Sequence, residues 1–312
     1  MRTRIWVALL ALYIVWGSTY LAIRFAVETI PPFLMAGFRF LISGVILYVW
    51  RKAAGDPAPT RRQWHSAIVV GLLLLLGGNG LVSWAEQHVA SGIAALMVAS
   101  IPLWMVLLDA LRSNGVKPDW KILLGVLMGF GGITLLVSSA GGLSPEDGLD
   151  LVALAALLLA ALIWSYGSLY GRDADMPPSS LLGTGIEMLG GAAGLFIVGT
   201  LAGEWPRLRL ADISSTSALG LIYLILFGSL VGFVSYSWLL RNAPIPLVST
   251  YAYVNPLVAI FVGAWLGNEL ITARIIFSAL VIIGSVVVIN LSKQTRTQRG
   301  KEPATSPADQ AR

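Results

Sequence analysis

The chain has 312 residues, 56% hydrophobic and 12% charged, with a mean hydropathy of +0.79 and a formal net charge of +5. Soluble domains carry about 25% charged residues, so this composition excludes a water-soluble globule and points to an integral membrane protein. There is no cysteine, which excludes disulfides, thiolate metal sites and thiol catalysis. Apolar runs of about 20 residues, each able to cross a hydrocarbon core of roughly 30 Å, follow one another along the chain. Ten such spans are expected, at approximately 5–24, 33–50, 64–86, 92–111, 121–140, 150–170, 180–202, 216–240, 246–266 and 274–291. The first run is full length and leads into a second without a small-residue cleavage site, which reads as a retained helix and not a signal peptide. The tail "SKQTRTQRGKEPATSPADQAR" is polar, basic and proline-containing, and is expected to be disordered.

The basic residues sort by side. With the N-terminus in the cytoplasm, Arg24, Arg207, Arg209 and Arg274 fall outside and Arg39 falls within a span. The other sixteen of the 21 Lys and Arg fall inside. That asymmetry follows the positive-inside rule and predicts both termini in the cytoplasm. It also accounts for the positive charge without nucleic acid.

The sequence repeats. A shift of 148 brings Trp16 onto Trp164 and Arg24 onto Arg172. Further on, a shift of 154 brings Gly78 onto Gly232, Trp84 onto Trp238, Pro102 onto Pro256 and Asn114 onto Asn268. The matches keep their order, although shared membrane composition is the plainer alternative. Five helices per half is an odd number, so a second copy returns in the opposite orientation. The expected architecture is therefore all-α, with residues 1–145 and 146–292 as inverted five-helix repeats and 293–312 as a cytoplasmic tail. Such repeats are common in secondary transporters, with the substrate site near the midplane between them.

"WGSTYLAIRFAVETIPPFLMAGFRFLISG", "AEQHVASGIAALMVASIPL" and "STYAYVNPLVAIFVGAWLGNE", in that order, resemble the EamA family of the drug/metabolite transporter superfamily over roughly residues 5–291. The resemblance implies a ten-helix exporter of metabolites, amino acids or drug-like compounds in the bacterial inner membrane. In one place the chain departs from the family. Many first halves carry an acid after the fourth helix; here that region reads "LRSNGVKPDW", and only the second half keeps one, Glu269 in "LGNEL".

Arg39 is the outlier of the second span. Eight residues past Pro31, it lies about 12 Å into the helix, too deep to reach the interface. An intramembrane charge faces the bundle interior with a partner. Glu187, its approximate repeat-mate, is the first candidate and Glu86 the second. A structural brace and a transport role are both open. "GGNGLVSW" places Asn79 and Ser83 in a glycine-weakened helix, able to bond a solute or a neighbouring helix. Gly190 and Gly194 form a packing pattern. Pro102 and Pro256 predict matched bends, as hinges or as static kinks. Tyr251 and Asn255 share a helical face, and Trp16, Tyr20 and Trp164 supply aromatic walls.

These residues predict a secondary transporter of small organic solutes, in contact with lipid and with protons as a candidate coupling ion. No metal or cofactor is called for. The rival reading is a polytopic enzyme acting on lipid. It would need acids and histidines clustered at one membrane face, whereas His65 and His88 lie far apart in the sequence.

Overall fold

The computed structural model describes residues 2–112, 117–137, 150–243, 245–248 and 250–299. Within them the chain is helical throughout. Seven helices are long and apolar enough to cross a membrane, and Trp120–Leu136, Tyr251–Leu266 and Ala273–Ile289 form shorter apolar helices. The elements are α1 (Arg2–Ala26), α2 (Pro32–Ala53), α3 (Arg61–Gly71), α4 (Leu81–Ala85), α5 (Ser91–Val98), α6 (Ile101–Ala110) and α7 (Trp120–Val137). They continue as α8 (Leu151–Asp173), α9 (Ser180–Leu201), α10 (Ser215–Tyr223), α11 (Gly232–Asn242), α12 (Ile245–Val248), α13 (Tyr251–Leu266) and α14 (Ala273–Arg299). The backbone of α14 passes the expected end at 291 and carries the first tail residues with it. Residues 300–312 lie outside the described ones.

Two helices change pitch. The backbone joins α3 to α4 through a π-helical segment, Leu72–Gly80, and α10 to α11 through another, Leu224–Val231. π windings are rare and concentrate at functional sites. Under the sequence shift of 154 the first segment falls on 226–234, overlapping the second. Side chains of other helices take up carbonyls of the second segment: Trp16 Nε1 donates to the Gly228 carbonyl at 3.2 Å and Ser43 Oγ to the Ile225 carbonyl at 3.5 Å.

The most extensive helix pairs are α2 with α9, α7 with α14, and α1 with α13. Small residues let α2 and α9 approach closely, since a Cβ on Gly44 would stand 2.9 Å from Met188 Cβ. Gly190 and Gly194 serve the packing expected of them, against Ile68 and Leu72.

Polar side chains set the helix starts. Thr60 and Gln63 form a capping box at α3, Asp150 accepts from the N–H groups of Val152 and Ala153 at α8, and Ser179 accepts from Leu182 at α9. Two caps come from distant chain. Glu204 accepts from the N–H groups of Phe33 (3.3 Å) and Leu34 (2.9 Å) at the start of α2. Glu269 accepts from Ser91 (2.7 Å) and Gly92 (3.1 Å) at the start of α5. Both carboxylates meet unpaired donors and the positive end of a helix dipole.

The two prolines differ. Pro102 sits in the first turn of α6, after a break at Ala99–Ser100, so it starts a new helix where its missing N–H removes no bond. Pro256 lies inside α13. The expected symmetry of two bends is thus one break and one interior proline.

Candidate functional site

At the centre of the bundle is a cavity of about 130 Å³. Helix α1 contributes Trp16, Thr19, Tyr20 and Ile23, and α2 contributes Arg39. Gly78 and Asn79 come from the first π segment, Trp164 from α8, and Tyr251 and Asn255 from α13. Seven residues singled out by sequence therefore meet here: Trp16, Tyr20, Arg39, Asn79, Trp164, Tyr251 and Asn255. Ser83 and Glu187 do not. Ser83 is fully buried with its hydroxyl unpaired, and the Glu187 backbone packs on Gly71.

The aromatic wall is built around Trp16. Its ring stands edge-on to Phe233 at 5.4 Å and to Tyr251 at 5.3 Å, and Tyr236 lies at 5.3 Å. Such pairings fix ring positions beyond simple area burial. Trp16 lies against Gly232, and Trp164 lies against Gly78, where an added Cβ would meet the indole at 2.7 Å.

Arg39 is 4% exposed. Its Nε donates to Ser229 Oγ at 3.0 Å, and its guanidinium carbon stands 4.7 Å from the Phe40 ring centre. Among the described residues it forms no ion pair with Glu187, the partner expected first. Glu86, the second candidate, acts on Arg39 electrostatically without contacting it as an ion pair among the described residues. Glu86 is itself buried, and the charges of Arg24 and Glu269 also act on it. Ser229, Thr19 and Phe233 are site residues that the sequence did not single out; no local pattern marks them.

Charged contacts close both ends of the bundle. At the end holding the starts of α2 and α5, Arg24 Nη1 bonds Glu269 Oε1 at 3.2 Å and also reaches the Val89 carbonyl. The Glu269 side chain is 7% exposed. At the opposite end Arg172 bonds Asp109 at 3.2 Å, and Arg112 bonds Asp173. Arg112 also approaches Asp109, one turn earlier, at 3.9 Å. Outside the spans, burial pushes the Glu204 carboxyl upward while the Leu34 and Phe33 N–H groups pull it down, with a net upward shift. The Arg51 side chain, donating from Nε and Nη2, holds the Asp56 carboxyl down at about 2.

A multi-helix apolar bundle with an aromatic, singly charged cavity among its helices has the form of a membrane transporter. The EamA-like transporter family model matches residues 3–138 and 151–291, and the chain belongs to that family. It is 40% identical over 288 residues to YedA of Escherichia coli strain K12, an uncharacterized inner membrane transporter, covering 92% of this chain and 90% of that one. Protein PecM of Dickeya dadantii is 27% identical over 293 residues, covering 90% of this chain and 93% of that one. A solved crystal structure shares the fold at a TM-score of 0.62 and 19% identity, covering 94% of this chain and 99% of that one. The chain is accordingly a multi-pass transporter of the bacterial inner membrane. Membership implies a small-molecule substrate and a lipid surround.

Proposed function

We propose that the protein is a secondary exporter of small organic metabolites, amino acids or drug-like compounds among them. Transport proceeds by alternating access, with the central cavity as the substrate site. Ten membrane crossings form two inverted five-helix repeats, with both termini cytoplasmic.

The observation that carries this reading is reciprocal packing. Trp16 of the first repeat lies against Gly232 of the second, and Trp164 of the second lies against Gly78 of the first. Both residues of one pair map onto both residues of the other under the sequence shifts. A pseudo-two-fold axis between the repeats accounts for the exchange, and the cavity lies on it.

In the end bridges the arginines alone follow the sequence shift, and their acids do not. Arg24 and Arg172 are repeat-mates. Arg24 binds an acid at the end of α13, and Arg172 binds one near the end of α6. One bridge guards the periplasmic side and the other the cytoplasmic side. Opening one side requires losing one bridge while the other holds. Protons are a candidate coupling ion, with Glu86 as the acid placed between the cavity and the periplasmic bridge.

Counterflow in proteoliposomes, with a panel of radiolabelled amino acids and aromatic acids, tests the reading. Exchange that saturates with internal substrate is expected. Leakage that is linear in concentration would contradict it.

A further inference from the structure

We infer that the cavity takes organic monocarboxylates with a compact apolar or aromatic body, and that Arg39 is the residue that reads the carboxylate. The inference rests on the transport reading above and narrows it to a substrate class.

A guanidinium has five N–H donors in a planar fork. In Arg39 the Nε donor is used on Ser229, which fixes the plane, and the Phe40 ring lies beside it. Among the described residues the two terminal nitrogens have no hydrogen-bond acceptor and no carboxylate within ion-pair distance. Glu86 acts on Arg39 only through its field and does not line the cavity. A guanidinium buried in a membrane bundle is costly unless matched. Here the matching group has to come from within the cavity that Arg39 lines. Two parallel N–H donors from a terminal fork fit the two oxygens of a carboxylate, which a lysine ammonium would not reproduce.

The remaining walls define the body. Trp16, Tyr20, Trp164 and Tyr251 present rings, which suit an aromatic or branched apolar group. None of the described lining residues is acidic, so an organic cation would meet Arg39 with no compensating charge. At about 130 Å³ the space is below the roughly 300 Å³ of a drug-sized pocket, which suits a compact body.

The test is equilibrium binding to the purified full chain in lipid nanodiscs. Titration calorimetry would compare phenylacetate with phenylacetamide, and isovalerate with isovaleramide. Each acid should bind about 10- to 100-fold more tightly than its amide, the factor for a charged hydrogen-bonded contact. Arg39→Gln should erase that ratio. Arg39→Lys should keep part of it, as a charge without the fork. If the glutamine variant does not fold, the wild-type ratio and the lysine variant still decide. Equal binding of acid and amide, no acid binding at millimolar concentration, or an unchanged ratio in folded Arg39→Gln would each overturn the inference. Binding is read without flux, so the two readings fail separately. Acids that bind while no solute shows counterflow would remove the transport reading alone. Counterflow of a neutral or cationic solute with no acid binding would remove this inference alone.

Discussion

Trp164 lies against Gly78, where a Cβ would stand 2.7 Å from the indole ring. The indole has no flexible end to move aside, so Gly78→Ala forces the ring or the π segment to shift. Overpacking of this kind costs typically about 1–3 kcal/mol. Gly232→Ala meets Trp16 in the same way. By contrast, Gly131 has open space around its would-be Cβ. Gly131→Ala should be neutral or slightly stabilising, by up to about 1 kcal/mol in a helix. Thermal unfolding of the three variants in one detergent checks the order. Gly78→Ala as stable as Gly131→Ala would contradict the packing.

Glu269 and Arg24 share one bond but should not matter equally. Glu269 is buried and also receives two backbone donors of α5, whereas Arg24 is more than a third exposed. Glu269→Gln should lower stability by about 1–3 kcal/mol through donors left unmatched. Arg24→Gln should cost less than about 1 kcal/mol, because solvent screens the pair. A larger loss for Arg24→Gln would show that the ion pair, and not the cap, is the main contact.

Glu204 tests the other long-range cap. Glu204→Ala should cost about 1 kcal/mol and speed amide exchange at Phe33 and Leu34, while exposed Glu28→Ala should change neither. The folded carboxyl titrates above its usual 4.5, so folding favours its protonated form. The stability contributed by that shift is full below about pH 4.5 and is lost as pH rises through the folded value. The difference between wild type and Glu204→Ala should therefore shrink on going from acid to neutral pH. A difference that grows in that direction would show the opposite shift.

Much of the cavity was legible because its residues stand out against an apolar background. Arg39, Asn79 and Asn255 are polar groups in spans, and Trp16 and Trp164 are too deep to be interface anchors. What could not be read was pairing across the chain. The partner of Arg39 turned out to be Ser229, one serine among many, and nothing in either local sequence joins them. The capping role of Glu269 could not be read because its donors, Ser91 and Gly92, lie in another helix. The prolines misled for a local reason. Equal spacing in the repeat did not reveal that the chain breaks at Ala99–Ser100, just before Pro102, while Pro256 stays within its helix.

The separation of Arg39 from Glu187 makes a sharp prediction. With no bond between them, the effects of Arg39→Gln and Glu187→Gln on stability should add within about 0.5 kcal/mol. The double variant is compared with the two single ones by thermal unfolding. A coupling energy above about 1 kcal/mol would mean that the two charges meet.

The central claim is that the two ends open in alternation around one cavity, and the absence of cysteine allows it to be tested without background thiols. A Cβ on Gly267 would stand 2.6 Å from Leu21 Cδ1 at one end, and one on Gly171 would stand 3.2 Å from Val70 Cγ2 at the other. The paired variants Leu21→Cys with Gly267→Cys, and Val70→Cys with Gly171→Cys, are each bridged by a short disulfide-forming reagent. Counterflow is then measured in proteoliposomes before and after reduction. Alternating access predicts that either bridge alone stops counterflow and that reductant restores it. Undiminished counterflow with either bridge intact would contradict the mechanism.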